Sequence, residues 1–201
     1  MLNRFFYTAV GFLDAIKRWR LARQGLSSGK KRRVHSENPL IQALEESFWL
    51  KLALYALFAV GSGLLVLKAS PSTAFAADPL KGARYSFIIA VTAIVMFQVS
   101  LQSSCRRNSR VARVLGGLIG HLLMVRAVMG LADAGTIPEM LRFFMVPFAL
   151  VPMLHGVLLG RAVASFSTVY VTLIGCLLVP QADVLGYMIL SLVAGLTSVL
   201  L

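Results

Sequence analysis

FFMVPFALVPMLHGVLLGRAVASFSTVYVTLIG, running from Phe143 to Gly175, holds two apolar segments that meet at Gly160-Arg161-Ala162, with Pro147 and Pro152 in the first of them. Neither segment carries an acidic side chain, and each is near the ~20 residues a helix needs to cross a ~30 Å hydrocarbon core. The stretch reads as a membrane hairpin: Phe143–Leu159 crosses one way, the chain turns at Arg161, and Val163–Val179 crosses back. On this reading Pro147 and Pro152 lie in the outer half and the middle of the first crossing, where each removes a backbone donor and can bend the helix.

Working outward, the same signature recurs. Phe48–Leu67, Tyr85–Ser103, Val114–Leu131 and Val184–Leu201 are further apolar runs of crossing length. The chain is 201 residues long, 58% hydrophobic and only 14% charged, with a mean hydropathy of +0.78. That is too apolar for an ordinary soluble domain of this size. The fold class is therefore an all-α integral membrane protein, a bundle of about six transmembrane helices preceded by an N-terminal amphipathic cytoplasmic segment.

Charge orients the bundle. Of 20 Lys and Arg residues, nine precede Ser36, Arg106, Arg107, Arg110 and Arg113 form a second cluster, and Arg161 sits in the hairpin turn. The intervening loops carry Lys68, Lys81, Arg84 and Arg142. Positive residues favour the cytoplasmic side, which places both termini there. The net charge of +12 thus marks a local basic tail rather than a nucleic-acid-binding fold, and the tail suits anionic lipid headgroups.

Four regions follow. Residues 1–37 form a basic tail: Leu2 to Arg23 place Phe5, Phe6, Ala9, Phe12, Leu13 and Ile16 on one helical stripe, suited to lying at the interface. Gln24 to Glu37 is a mobile, solvated linker. Residues 38–67 hold the first transmembrane helix, opened by Asn38-Pro39, residue types that cap and start a helix well. Residues 68–84 make a short exterior loop, and 85–201 a five-helix membrane domain. Cys105 and Cys176 have no metal-ligand spacing and read as free thiols.

The residues that stand out are few. Gly116 and Gly120 form a Gly-x-x-x-Gly pair with Gly117 alongside, a pattern that lets membrane helices approach closely. Ser165, Thr168, Thr172 and Gly175 make a small polar stripe fit for packing or for lining a substrate path. Arg126 is expensive inside a bilayer and needs a partner or an exit. Asp133, seven residues on and nearly on the same face, is the expected partner, with the exterior headgroups as the other outlet and a ligand-contact role as the functional reading. His121 and His155 fall at similar depths and could meet, although two histidines without a carboxylate make a poor metal site.

No His-Glu-x-x-His, Gly-x-Ser-x-Gly or phosphate-cradling Gly-Lys-Ser/Thr occurs, so the chain reads as noncatalytic, with no cofactor and no metal.

Val146-Pro147-Phe148-Ala149-Leu150-Val151-Pro152-Met153-Leu154, then Leu158-Leu159-Gly160-Arg161-Ala162-Val163-Ala164, then a Ser-containing helix ending at Gly175, resembles the bacterial seven-transmembrane receptors with an intracellular HD hydrolase domain. The resemblance is greatest from about Arg84 to Leu201. It implies a signalling receptor of the bacterial cytoplasmic membrane, coupled to a metal-dependent phosphohydrolase that cleaves cyclic dinucleotides, cyclic di-AMP in particular. This sequence departs from the pattern in having about 17 residues where the family has its extracellular sensor, and in ending at Leu201 before two further spans and the HD domain. The expectation is a truncated or split member, acting with an HD hydrolase domain in trans or as a homo-oligomer. A small six-span transport or membrane scaffold protein is the alternative.

Overall fold

The computed structural model describes residues 44–68, 73, 75, 77–101, 107–138 and 141–200. Among them the chain forms α1 (Phe48–Leu67), α2 (Pro79–Ser100), α3 (Asn108–Asp133), α4 (Leu150–Leu159), α5 (Arg161–Gly175) and α6 (Val184–Leu200). Single 3-10 turns at Cys176–Leu178 and Gln181–Asp183 link the last two helices, and no strand occurs among the described residues. The amphipathic stripe at Leu2–Arg23, the linker, the Asn38-Pro39 start and Cys105 lie outside the described residues.

Local chemistry sets the helix starts. The Ser47 hydroxyl accepts from the Leu50 N–H, and Ser47 itself is extended at φ −61°, ψ 120°. The expected continuous helix from residue 38 is therefore interrupted there: Leu44–Glu46 makes one turn, and the membrane helix starts afresh at Phe48. Asp78 caps α2 by accepting from the Lys81 N–H at 3.0 Å, with Pro79 next to it, where a missing N–H costs no helical bond.

Among the described residues five segments are long and apolar enough to cross a membrane: Phe48–Leu67, Pro79–Ser100, Asn108–Asp133, Arg161–Leu178 and Gln181–Leu200. The described residues are thus those of a helical, multi-pass membrane protein. Expected crossing four is different. Of Phe143–Leu159 only the ten residues of α4 are helical, about 15 Å at 1.5 Å per residue, and Phe143–Ala149 proceeds by successive turns. The prolines explain this. Pro152 is the third residue of α4, inside the first turn where N–H groups have no helical acceptor, and Pro147 precedes the helix altogether. The two prolines fix where the helix begins rather than bending a longer one.

α5 is the axis of the assembly. It packs against α2, α3, α4 and α6, while α1 lies on α2 and α3. Phe58, Phe97, Leu118, Leu122, Ile174 and Tyr187 are fully enclosed. The α5–α6 hairpin has a definite register: Gly175 meets Tyr187, Thr172 meets Ser191 and Thr168 meets Gly195. These pairs recur every three to four residues, one helical turn, so one face of each helix is matched layer by layer.

The bundle has two ends. Ser47, Asn108 and Gly160 mark one, the Asn108 end; Lys68, Asp78, Asp133 and Asp183 mark the other, the Asp183 end.

Candidate functional site

Polar side chains inside the bundle form three layers. At the Asn108 end, Asn108 is buried at the first position of α3, and its amide Nδ2 donates to the carbonyls of Leu44 and Ser47, both at 2.8 Å. This ties the start of α3 to the turn preceding α1.

One turn and a half deeper lies His155, on α4. Its Nδ1 is 2.6 Å from the Ser167 Oγ of α5, and its Nε2 is 3.3 Å from the Arg113 carbonyl of α3. The Ser167 hydroxyl also donates to the Val163 carbonyl at 2.9 Å. A neutral imidazole has one N–H: with Nε2–H donating to the Arg113 carbonyl, Nδ1 accepts from the Ser167 hydroxyl, and with Nδ1–H donating to Ser167, that hydroxyl donates to Val163. Gly117 makes the contact with α3 possible, since a Cβ there would stand 2.6 Å from Nε2. Although Ser and His side by side suggest a nucleophile and its base, the hydroxyl is wholly buried. The trio joins α3, α4 and α5 as a packing lock.

In the middle, the Thr172 and Ser191 hydroxyls share a 2.7 Å hydrogen bond between α5 and α6, and Thr168 packs on Gly195. His121 is fully buried on α3, and neither ring nitrogen has a hydrogen-bond partner among the described residues. The two histidines do not bond to each other: His155 is engaged with Ser167 and Arg113. Among the described residues there is no group of three or more His, Cys, Asp or Glu placed to hold a metal ion.

At the Asp183 end, Arg126 donates from Nη1 to the Leu65 carbonyl at 3.3 Å and from Nη2 to the Lys68 carbonyl. The last carbonyls of a helix lack helical donors, so Arg126 acts as a side-chain cap on α1. The expected turn toward the helix end is present, but the acceptors are backbone carbonyls of α1 rather than Asp133, which is exposed as the last residue of α3. Arg142 forms an ion pair with Asp183, and its guanidinium lies 5.3 Å from the centre of the Phe143 ring. This joins the turns before α4 to the turn before α6.

The remaining expected residues fall elsewhere. A Cβ added at Gly116 or at Gly120 would meet nothing within 4 Å, so the Gly-x-x-x-Gly pair does not bring two helices of this chain together; Gly117, between them, does. The pattern names a spacing but not the face that the neighbour occupies. Arg161 is exposed as the first residue of α5, after Gly160 at φ 102°, a backbone region that only glycine enters freely. It borders a shallow cleft with Met153, Gly156 and Ser198. Within the polar stripe, Thr168, Thr172 and Gly175 are buried, whereas Ser165 borders an outer groove with Met96 and Tyr170. Ser167, Asn108, Ser191 and the Arg142–Asp183 pair were not among the expected residues. Hairpin symmetry is a signal that finds the first: His155 and Ser167 are equally spaced about Arg161.

Compared with protein-family models, with curated proteins and with solved structures, the chain has no match.

Proposed function

We propose that this chain is a noncatalytic membrane module of a signalling receptor, of the kind the resemblance to seven-transmembrane HD receptors implies. In this reading it sits in a bacterial cytoplasmic membrane, with the Asn108 end and both termini in the cytoplasm and the Asp183 end outside. The basic loop around Arg107 and Arg110 and the turn at Arg161 belong to one end, which supports that orientation through the positive-inside tendency. Its output partner is an HD-type cyclic-dinucleotide hydrolase domain.

One observation carries the reading. Along the α5–α6 seam in the middle of the bundle the Thr172 hydroxyl closes on Ser191 and Thr168 packs on Gly195, so this polar stripe faces a neighbouring helix rather than a solute path. A transporter binds its cargo near the midplane between such helices. A bundle cross-tied at both ends, by Asn108 and His155 at one and by Arg126 and Arg142 at the other, is suited to passing a rearrangement along α5.

The test is cyclic di-AMP hydrolysis by an HD hydrolase domain reconstituted in vesicles with and without the full chain. A change in hydrolysis rate that is lost on exchanging Ser167 for Ala supports the module. An unchanged rate, together with solute flux across the same vesicles, would replace it with the transport reading.

A further inference from the structure

Between α1 and α2 an open groove runs along the outer surface of the bundle at the Asp183 end. Its floor is made of small residues, Ala59, Gly63 and Ala83, and its walls of exposed Leu64 and Phe87, with Arg84 the one charged residue along it. Gly63 and the Ala83 carbonyl face each other, at 3.7 Å from where a Cβ on the glycine would stand, so the two helices run close and the floor is shallow. From Leu67 to Ala59 the groove extends about 12 Å at 1.5 Å per residue, enough for the upper half of one acyl chain.

Among the described residues Arg142 is paired with Asp183, Arg107 lies near Glu45 and Arg126 is spent on two carbonyls. Among the described residues no ion pair involves Arg84, nor Lys81, one turn before it, nor Lys68, just past the end of α1. The acid at this end of the two helices, Asp78, has its carboxylate on the Lys81 N–H as a helix cap. Arg84 lies about 7.5 Å along α2 from Pro79, at the depth of headgroups and with a long apolar stem.

We propose that the α1–α2 groove holds one anionic phospholipid of the surrounding leaflet, an acyl chain lying over Gly63 and Ala83 and the phosphate on the Arg84 guanidinium. Charge complementarity selects this occupant: an unpaired cation at the mouth of an apolar channel matches a phosphate above a hydrocarbon tail. The site lies at the opposite end from the basic loop and does not depend on the signalling reading.

Native mass spectrometry of the full chain, delipidated in detergent and titrated with phosphatidylglycerol or phosphatidylcholine, tests it. The expected result is one phosphatidylglycerol retained at least fivefold more tightly than phosphatidylcholine. That preference should be lost in Arg84→Gln and kept in Arg84→Lys. Leu64→Trp, which fills the groove from an exposed position and leaves the charge in place, should weaken phosphatidylglycerol at least fivefold, whereas Arg161→Gln at the other end should not. Inorganic phosphate should not compete. Equal retention of the two lipids by the wild-type chain, retention unaffected by both Arg84→Gln and Leu64→Trp, or displacement by phosphate alone would each overturn the assignment.

Discussion

His155 Nδ1 and Ser167 Oγ lie 2.6 Å apart, on helices that run antiparallel, side by side, from the Gly160 turn. Both side chains are buried, so removing one takes from the other a partner that water does not replace, leaving Ser167 with the Val163 carbonyl or His155 with the Arg113 carbonyl. Interhelical hydrogen bonds in membrane proteins couple by about 0.6 kcal/mol on average and up to about 1.7. A double-mutant cycle on Ser167→Ala and His155→Leu, read by unfolding in mixed micelles, should give a coupling of about 0.5–1.5 kcal/mol. Simple additivity of the two single effects would mean that the pair contributes no specific interaction.

Gly117 and Gly116 are adjacent in sequence and opposite in consequence. A methyl group at Gly117 would press on a ring nitrogen of His155, itself fixed by Ser167, while at Gly116 or Gly120 it would meet nothing within 4 Å. Overpacking a tight contact costs typically about 1–3 kcal/mol. Gly117→Ala should fall in that range by the same unfolding measurement, and Gly116→Ala and Gly120→Ala should be neutral or slightly stabilising, since alanine favours the helix by about 1 kcal/mol. Gly195→Ala, which would collide with Thr168, should behave like Gly117→Ala. The reverse order, with Gly116 and Gly120 sensitive and Gly117 tolerant, would put the close approach on the other face of α3.

The sequence disclosed the crossings more readily than their partners. Phe48–Leu67 is found at the expected bounds, and Val184–Leu200 within one residue, because transfer of apolar side chains into lipid is a local property that a window of sequence carries. Phe143–Leu159 has the same hydropathy but not the same structure. Whether it is helical depends on backbone hydrogen bonds that Pro147 and Pro152 withhold, and hydropathy is blind to those. The candidate site was less legible for a similar reason. Arg126 announces its cost by being charged, yet the carbonyls of Leu65 and Lys68 that meet it belong to every residue and have no signature. Gly116-x-x-x-Gly120 gives spacing without a face, and Ser167 became visible only through the helix register across Gly160.

Arg126 holds the last turn of α1 from a neighbouring helix, and that role is separable from a pairing with Asp133. Arg126→Met should release the Leu65 and Lys68 carbonyls, a loss of about 1 kcal/mol because the helix end can recruit other donors. Hydrogen exchange of the amides of Val66 to Lys68 should accelerate about fivefold, with the amides near Asn108 unchanged. Asp133→Asn should leave the α1 turn as it is. If Asp133→Asn loosens that turn and Arg126→Met does not, the carboxylate, not the backbone, is the group that matters to α1.

Arg142 and Asp183 join the irregular stretch before α4 to the turn before α6, and their side chains are only 13% and 26% exposed. The Arg107–Glu45 contact at the other end is looser, at 3.9 Å, with Arg107 61% exposed. Ion pairs exposed to this extent are worth little, about 0–1 kcal/mol, whereas removing one partner of a mostly enclosed pair leaves a charge without compensation. Phe143–Ala149 has no helical hydrogen-bond ladder to keep it in place, so the pair and the Arg142–Phe143 ring contact carry more of its positioning than they would in a helix. Asp183→Asn should therefore destabilise the bundle by about 1–3 kcal/mol and expose the buried Val146 and Phe148 to faster cysteine-labelling when each is replaced by Cys, while Glu45→Gln should change neither measurably. The exchanged pair Arg142→Asp with Asp183→Arg should recover part of the stability. Loss of stability without faster labelling would place the contribution of the pair at the start of α6 instead of in the stretch leading to α4.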